Sequence, residues 1–195
     1  MGFNNKNTIA YALVTNRWSP YWLAPLLWVL CWETQTFLSK FVGMATGNGF
    51  FILYLSLGAV FISLLVFGRR VLISLTLGYG FYFWLQPEQA AVGYKGVMFI
   101  ENIAETFFAY LFIESVRRAR GLNELYDHIT MREIIFMLVA ISFFATTLRF
   151  FIPSGNDLEP FSVLLFELLG SIVGMVVVFY AFIQGFGILA KLRWS

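Results

Sequence analysis

Five ionisable side chains lie inside apolar runs of the sequence, and their types and positions are the ones best suited to chemistry. They are Glu33, Glu101, Glu105, Arg149 and Glu167. An ionisable group in apolar surroundings is costly, and it normally faces a partner, a cavity or the interior of a helix bundle. The set therefore predicts either ion pairs that join helices or a polar site that binds something.

Arg149 is the basic member of this set, and we expect it to neutralise one carboxylate, either Glu101 or Glu167. Another acid would then stay protonated or bind a ligand. Glu101 and Glu105 are four positions apart, with Asn102 between them, so they share one face of a helix. The alternative is a structural ion pair that fixes the register of helices without binding anything. The sequence leaves both interpretations open.

The chain is poor in the residues that hold metals or activate nucleophiles. It has one cysteine, Cys31, and one histidine, His128. Transition-metal sites in proteins need several such ligands, and a catalytic cysteine needs a nearby base. We therefore expect a protein that is not an enzyme and has no metal, no cofactor and no nucleic-acid partner.

The composition predicts an all-α integral membrane protein, a bundle of about six transmembrane helices. Hydrophobic residues make up 59% of the chain and charged residues 12%, too apolar a balance for a soluble domain. Six apolar runs approach the roughly 20 residues that a helix needs to span a bilayer. They cover Pro20–Phe41, Gly49–Phe67, Val71–Leu85, Val92–Val116, Ile134–Ile152 and Phe161–Leu189. The third run is the shortest, and a re-entrant hairpin is its alternative.

Basic residues lie on alternate connections, which predicts the orientation of the spans. Ten of the thirteen precede the first run, follow the last, or join runs two to three and four to five. Since Lys and Arg accumulate on the cytoplasmic side, both termini are expected there. Residues 1–19 would form a cytoplasmic segment, residues 20–190 the transmembrane domain and residues 191–195 a short tail. The main basic cluster comprises Arg69, Arg70, Arg117, Arg118 and Arg120.

Gly170 and Gly174 form a small-xxx-small pair in the last run. This spacing lets two helix backbones approach closely. It predicts packing inside the bundle, with homodimerisation as the alternative.

The segment Glu101-Asn102-Ile-Ala-Glu105, followed by apolar residues and a basic end at Arg117, resembles an Asn-x-x-Glu element of the MASE1 family. These are membrane-integral sensory domains of bacterial histidine kinases and cyclic-di-GMP enzymes. Phe67-Gly68-Arg69-Arg70 is similar to the family's Gly-Arg-Arg turn. Two features depart from the family: its Trp-Pro-x-x-Gly element is absent, and its late Gly-Asp reads Gly170-Ser171 here.

The resemblance implies a non-enzymatic sensory or regulatory module of the bacterial inner membrane that acts on a partner protein. Family members usually have more helices and a fused enzyme. Two other functions remain open from the sequence. One is a substrate-binding component of a small-molecule transporter, and the other is an accessory subunit of a larger membrane complex.

Overall fold

The computed structural model describes residues 16–46, 53–85, 92–121, 130–151 and 161–189. Every element in these ranges is a helix, and there are six. They are α1 (Ser19–Thr46), α2 (Leu55–Phe67), α3 (Arg70–Leu85), α4 (Val92–Ala119), α5 (Met131–Phe151) and α6 (Phe161–Leu189). His128, the C-terminal tail and most of the expected N-terminal segment lie outside the described residues.

The six helices fall on the six apolar runs, which confirms the all-helical prediction for the described part of the chain. The third run forms one continuous helix of 16 residues, Arg70–Leu85, and not a hairpin. The predicted start of the second helix was wrong, because Leu53 and Tyr54 are not helical and α2 begins at Leu55.

Helix α2 is the centre of the bundle. It packs against α1, α3, α4 and α6, while the other five helices contact one another in the order α1, α3, α4, α5, α6. All ten residues from Leu55 to Leu64 are buried. A helix that is apolar on every side is stable only when other elements enclose it, and this arrangement meets that condition.

The late start of α2 follows from contact with α6. Tyr54 has non-helical backbone angles, and its N–H donates to the carbonyl oxygen of Gly170 at 3.3 Å. A Cβ added to Gly174 would lie 2.8 Å from the backbone atoms of Tyr54, so only glycine permits this approach. Non-helical backbone can lie at membrane depth where it is buried in protein with its polar groups paired.

Helices α1 and α3 meet through aromatic rings. Trp28 is fully buried, with ring centroids 4.5 Å from Tyr79, 5.3 Å from Trp32 and 5.4 Å from Tyr82. Such tilted and offset pairs add to the stabilisation that burial alone provides. This half of the bundle is therefore held mainly by ring packing.

Three helical segments are long and apolar enough to cross a membrane: Lys95–Ala119, Met131–Phe151 and Leu164–Gly185. Helices α2 and α3 are apolar but shorter. Large apolar side chains also face outward, which a soluble monomer rarely allows over so wide an area. Those that are more than half exposed include Phe136, Phe143, Phe151, Phe166 and Tyr180. The described helices are thus compatible with a membrane protein.

Candidate functional site

Arg149 on α5 contacts two acids of α4. Its Nε donates to Glu101 Oε1 at 2.7 Å, and its Nη2 lies 2.7 Å from Glu105 Oε1. The two acids are four residues apart, so they lie about 6 Å apart along the helix axis on one face. The planar, forked guanidinium can reach both positions at once.

The ring of Tyr54 links Arg149 to a third acid. The guanidinium carbon lies 3.8 Å from the ring centroid, a cation–π contact. On the same side chain, the hydroxyl donates to Glu167 Oε1 on α6 at 2.8 Å. Because Tyr54 is fixed against α6 by the Gly170 hydrogen bond, its ring stays between the base and the acid. We call Tyr54, Glu101, Glu105, Arg149 and Glu167 the Arg149 cluster.

The Arg149 cluster is largely buried and has an excess of acid. Side-chain exposure is 14% for Arg149, 17% for Glu101 and 7% for Glu105. Two carboxylates, those of Glu101 and Glu105, contact one guanidinium, and Glu167 is close enough to Glu105 to interact with it electrostatically. Charges interact strongly in a poorly solvated site, so an excess of acid there favours the binding of a proton or a cation.

The sequence proposed Glu101 or Glu167 as the partner of Arg149. The structure pairs Arg149 with Glu101 and also with Glu105, while Glu167 accepts a hydrogen bond from Tyr54. Asn102 is buried, but its Nδ2 donates to the carbonyl oxygen of Met98 at 2.7 Å. That bond satisfies the amide within α4.

Glu33 lies on α1 and is separate from these contacts. Its Oε1 accepts a hydrogen bond from the hydroxyl of Tyr82 on α3. Glu33 therefore belongs to the aromatic half of the bundle, although the sequence grouped it with the other four ionisable residues.

Several polar contacts beside the Arg149 cluster were not anticipated. Buried Gln35 on α1 accepts hydrogen bonds at 3.2 Å from both the backbone N–H and the hydroxyl of Ser56. The first turn of α2 is thus capped from another helix, since Tyr54 provides no side-chain cap. Gln35 lies two residues after Glu33 in the same apolar run, and a polar residue at this position was the available sequence signal for a buried polar contact.

A further polar contact joins α3 to α4. The hydroxyls of Tyr79 and Thr106 are 2.7 Å apart, and both residues are buried. Thr106 directly follows Glu105, so the contact borders the Arg149 cluster. A tyrosine and a threonine in separate apolar runs give no sequence signal of their pairing.

The basic residues near the other end of α4 pair with acids that are largely buried, and Arg118 and Arg120 are exposed while Arg117 is half-buried. Glu114 contacts Arg117 at 2.6 Å and Arg118 at 2.9 Å, both within one helical turn. Arg120 pairs with Glu133 at the start of α5. Arg69 and Arg70 are exposed at the turn between α2 and α3. The turn is possible because Gly68 adopts a positive φ of 61°.

Helix α5 begins with a capping box. Glu133 accepts hydrogen bonds from the backbone N–H and the hydroxyl of Thr130, and its own N–H donates to Thr130 Oγ1. The pattern Thr-x-x-Glu before an apolar run is a sequence signature of this cap. It fixes the point at which α5 starts.

Gly170 and Gly174 contact the segment before α2 in the same chain, as described above.

A groove of about 920 Å³ lies elsewhere, on the side of α1, α3 and α4 that includes Pro25, Gly78 and Phe99. Its lining among the described residues contains no charged side chain. Leu77, Phe81 and Trp84, on its rim, are strongly exposed. This groove is apolar and suits a hydrocarbon chain better than a polar solute.

Comparisons with known proteins found no match. No family model matches the sequence, and neither a curated protein nor a solved structure resembles it significantly. The described residues also contain no group of three or more His, Cys, Asp or Glu side chains arranged to hold a metal ion. The geometry of the Arg149 cluster is therefore the main evidence for function.

Proposed function

We propose that the chain is a non-enzymatic membrane module that senses or regulates and acts through a partner protein. One observation carries the proposal: Arg149 joins acids of α4 to the segment before α2, and through Tyr54 to Glu167 on α6. A change in charge at this point would alter the packing of several helices at once. An ion pair that fixed only two helices would not need a third acid.

Helices α4 and α5 provide a route from the Arg149 cluster to the other end of the bundle. Both are continuous between these points, and Glu105 is about 18 Å from Arg117 along α4 at 1.5 Å per residue. Rigid helices that pack against each other can pass a small shift over such distances. The exposed bases Arg118 and Arg120, with the half-buried Arg117, would then offer a contact surface for an acidic patch on the partner.

The proposed setting is the bacterial inner membrane, with six spans and both termini in the cytoplasm. The alternation of basic segments favours this orientation. Helix α2 is short for a span, at about 20 Å, but Leu53 and Tyr54 extend it as non-helical backbone and the other helices enclose it. The MASE1-like pattern around Asn102 and Arg117 fits the same proposal.

The other candidate functions receive less support. A transporter component needs a polar pocket for its solute, and the groove beside α1 and α3 is apolar. An accessory subunit would need no acid-rich cluster, whose burial is costly. We therefore favour the regulatory module.

The test is to purify the tagged protein from its native membrane in nanodiscs and identify bound proteins by mass spectrometry. A kinase or a cyclic-di-GMP enzyme supports the proposal, and an ATPase pair or a large assembly contradicts it. A triple substitution of Arg117, Arg118 and Arg120 to Gln is expected to reduce recovery of the partner about tenfold, the effect of losing roughly 1.4 kcal/mol. Arg132→Gln is the matched control, since Arg132 is also exposed at this end.

A further inference from the structure

The charges of the Arg149 cluster do not balance. Glu101 and Glu105 share one guanidinium, so one excess negative charge would remain at Arg149 if both acids were ionised. Ionised groups in a site of low dielectric repel one another strongly, and carboxyl groups there are commonly neutralised by a proton. Aspartic proteases show the same principle, since two neighbouring carboxyl groups share one proton.

The three acids differ in how well their ionised form is stabilised. Glu101 accepts an aligned hydrogen bond from Arg149 Nε, and Glu167 accepts one from Tyr54. Glu105 is the more buried of the two acids that contact Arg149, with 7% of its side chain exposed against 17% for Glu101. Its Oε1 lies 2.7 Å from Arg149 Nη2, a charge contact that is not aligned as a hydrogen bond. Since burial disfavours the ionised form of a carboxyl group, Glu105 is the acid of this pair that more readily keeps a proton.

A second feature lies on the helices that carry Arg149 and Glu167: buried hydroxyls without a hydrogen-bond partner in the described parts of the chain. Thr146 and Ser142 on α5 are fully buried, and both lack a partner. They precede Arg149 by three and seven residues, so all three lie on one helix face. Ser171 on α6 is also buried and unpartnered, and it follows Glu167 by one turn. Buried hydroxyls that lack protein partners are commonly satisfied by ordered water.

We propose that the Arg149 cluster binds one exchangeable proton and that Glu105 carries it at neutral pH. The inference deepens the proposed function and rests on it, because it names the proton as the input of the module. Proton release would convert the Glu105 carboxyl group to a carboxylate and leave it beside Glu101 and Glu167. Among the described residues, the charged groups that interact with Glu105 are Arg149, Glu101 and Glu167, and the titratable hydroxyl of Tyr79 on α3 also interacts with it. The added repulsion would then loosen the contacts between α4, α5 and α6.

The test is infrared spectroscopy of the protein in lipid nanodiscs, because a protonated carboxyl group has a carbonyl stretch separate from the carboxylate bands. We expect this band at neutral pH in the wild type, and we expect alkaline titration to remove it. Glu105→Gln, which keeps the shape of the neutral acid, should abolish the band. Glu114→Gln on the same helix should keep it. A wild type without the band, or an unchanged band in Glu105→Gln, overturns the proposal.

Two further measurements keep the result decisive. If Glu105→Gln fails to fold, the infrared spectra of Glu101→Gln and Glu167→Gln are compared with that of the wild type. Loss of the band in either variant contradicts the assignment to Glu105. The spectra are also recorded in sodium chloride and in choline chloride. Equal bands support a proton, whereas loss of the band in sodium assigns the site to a metal cation. If a signalling partner is recovered but the band is absent, the inference of a bound proton is contradicted and the proposed function is not.

Discussion

Two sets of Arg–Glu pairs lie about 20 Å apart along α4, and they differ in burial and in the origin of their partners. Near one end, Glu114 pairs with Arg117 and Arg118 within a single turn, and Arg118 is 75% exposed. Near the other end, Glu101 and Glu105 pair with Arg149, which is 48 residues from Glu101 and only 14% exposed. Glu114 and Glu101 are similarly buried, but the bases differ: Arg117 and Arg118 are 29% and 75% exposed and reach water, while Arg149 is enclosed by protein partners.

The same residue types contribute differently to stability at the two ends of α4. Exposed pairs contribute little to stability, because water and salt screen the charges and ordering long side chains costs entropy. A buried pair costs free energy to desolvate, and removal of one partner is expensive. The proposed function therefore explains the acids around Arg149 better than a gain in stability does.

The largest expected effect is that of Arg149→Met, which removes the buried base and keeps a long apolar side chain. Glu101 and Glu105 would lose their counter-charge, and breaking a buried pair in this way costs about 3–5 kcal/mol. The measurement is chemical unfolding in detergent, followed by tryptophan fluorescence. Arg118→Met is the matched control at the exposed end. Equal unfolding curves for the two variants would show that the Arg149 cluster is not buried as described.

A smaller loss is expected for Gly174→Ala. The new Cβ would lie 2.8 Å from the backbone of Tyr54, and such overpacking costs about 1–3 kcal/mol. It would also move the tyrosine ring away from Arg149. Gly96→Ala on α4 is the control, since no atom lies within 4 Å of that Cβ position. Thermal unfolding is the readout, and a Gly174 variant as stable as the control would argue against the close approach of α6 to Tyr54.

Tyr54→Phe tests the link between Arg149 and Glu167 more finely, because it removes only a hydroxyl. The ring would still contact Arg149, but Glu167 would lose its hydrogen bond, which lowers the free energy of unfolding by about 1 kcal/mol. Tyr180→Phe on the exposed face of α6 provides a control with the same chemical change. Both variants are compared by chemical unfolding in the same detergent. An effect no larger than that of the control would remove Tyr54 from the link between Arg149 and Glu167.

The smallest effect is expected for Arg118→Ala. The side chain is mostly exposed, and Glu114 keeps its contact with Arg117. We expect no measurable shift of the unfolding temperature, at either low or high salt. A clear loss of stability in this variant would contradict the contrast between the two ends.

The sequence predicted much of the fold because helical membrane segments are marked by length and apolarity. All six helices lie on the predicted runs, and the end of α2 at Phe67 and the bounds of α6 agree with the prediction. The start of α2 was missed because Tyr54 lies in the same apolar run as the helical residues that follow it. Its departure from helical geometry depends on a close contact with Gly174, which is 120 residues away.

The candidate site was predicted in its composition but only partly in its pairing. Arg149, Glu101, Glu105 and Glu167 stand out because charges are rare in apolar runs. Tyr54 and Thr106 do not stand out, because tyrosine and threonine are common in membrane helices. Glu33 was grouped with the others because it lies in an apolar run, but it accepts a hydrogen bond from Tyr82 on α3.

Length, apolarity and the rarity of charges in apolar runs were enough to mark the helical segments and the acids that lie among apolar residues. Which acids contact Arg149 and which contact a tyrosine depended on the tertiary structure. The physical reason is that the rotation of each helix about its axis, and its axial position beside its neighbours, are set by packing. Here that packing depends on contacts such as Tyr54 against Gly174, which no local pattern in the chain specifies.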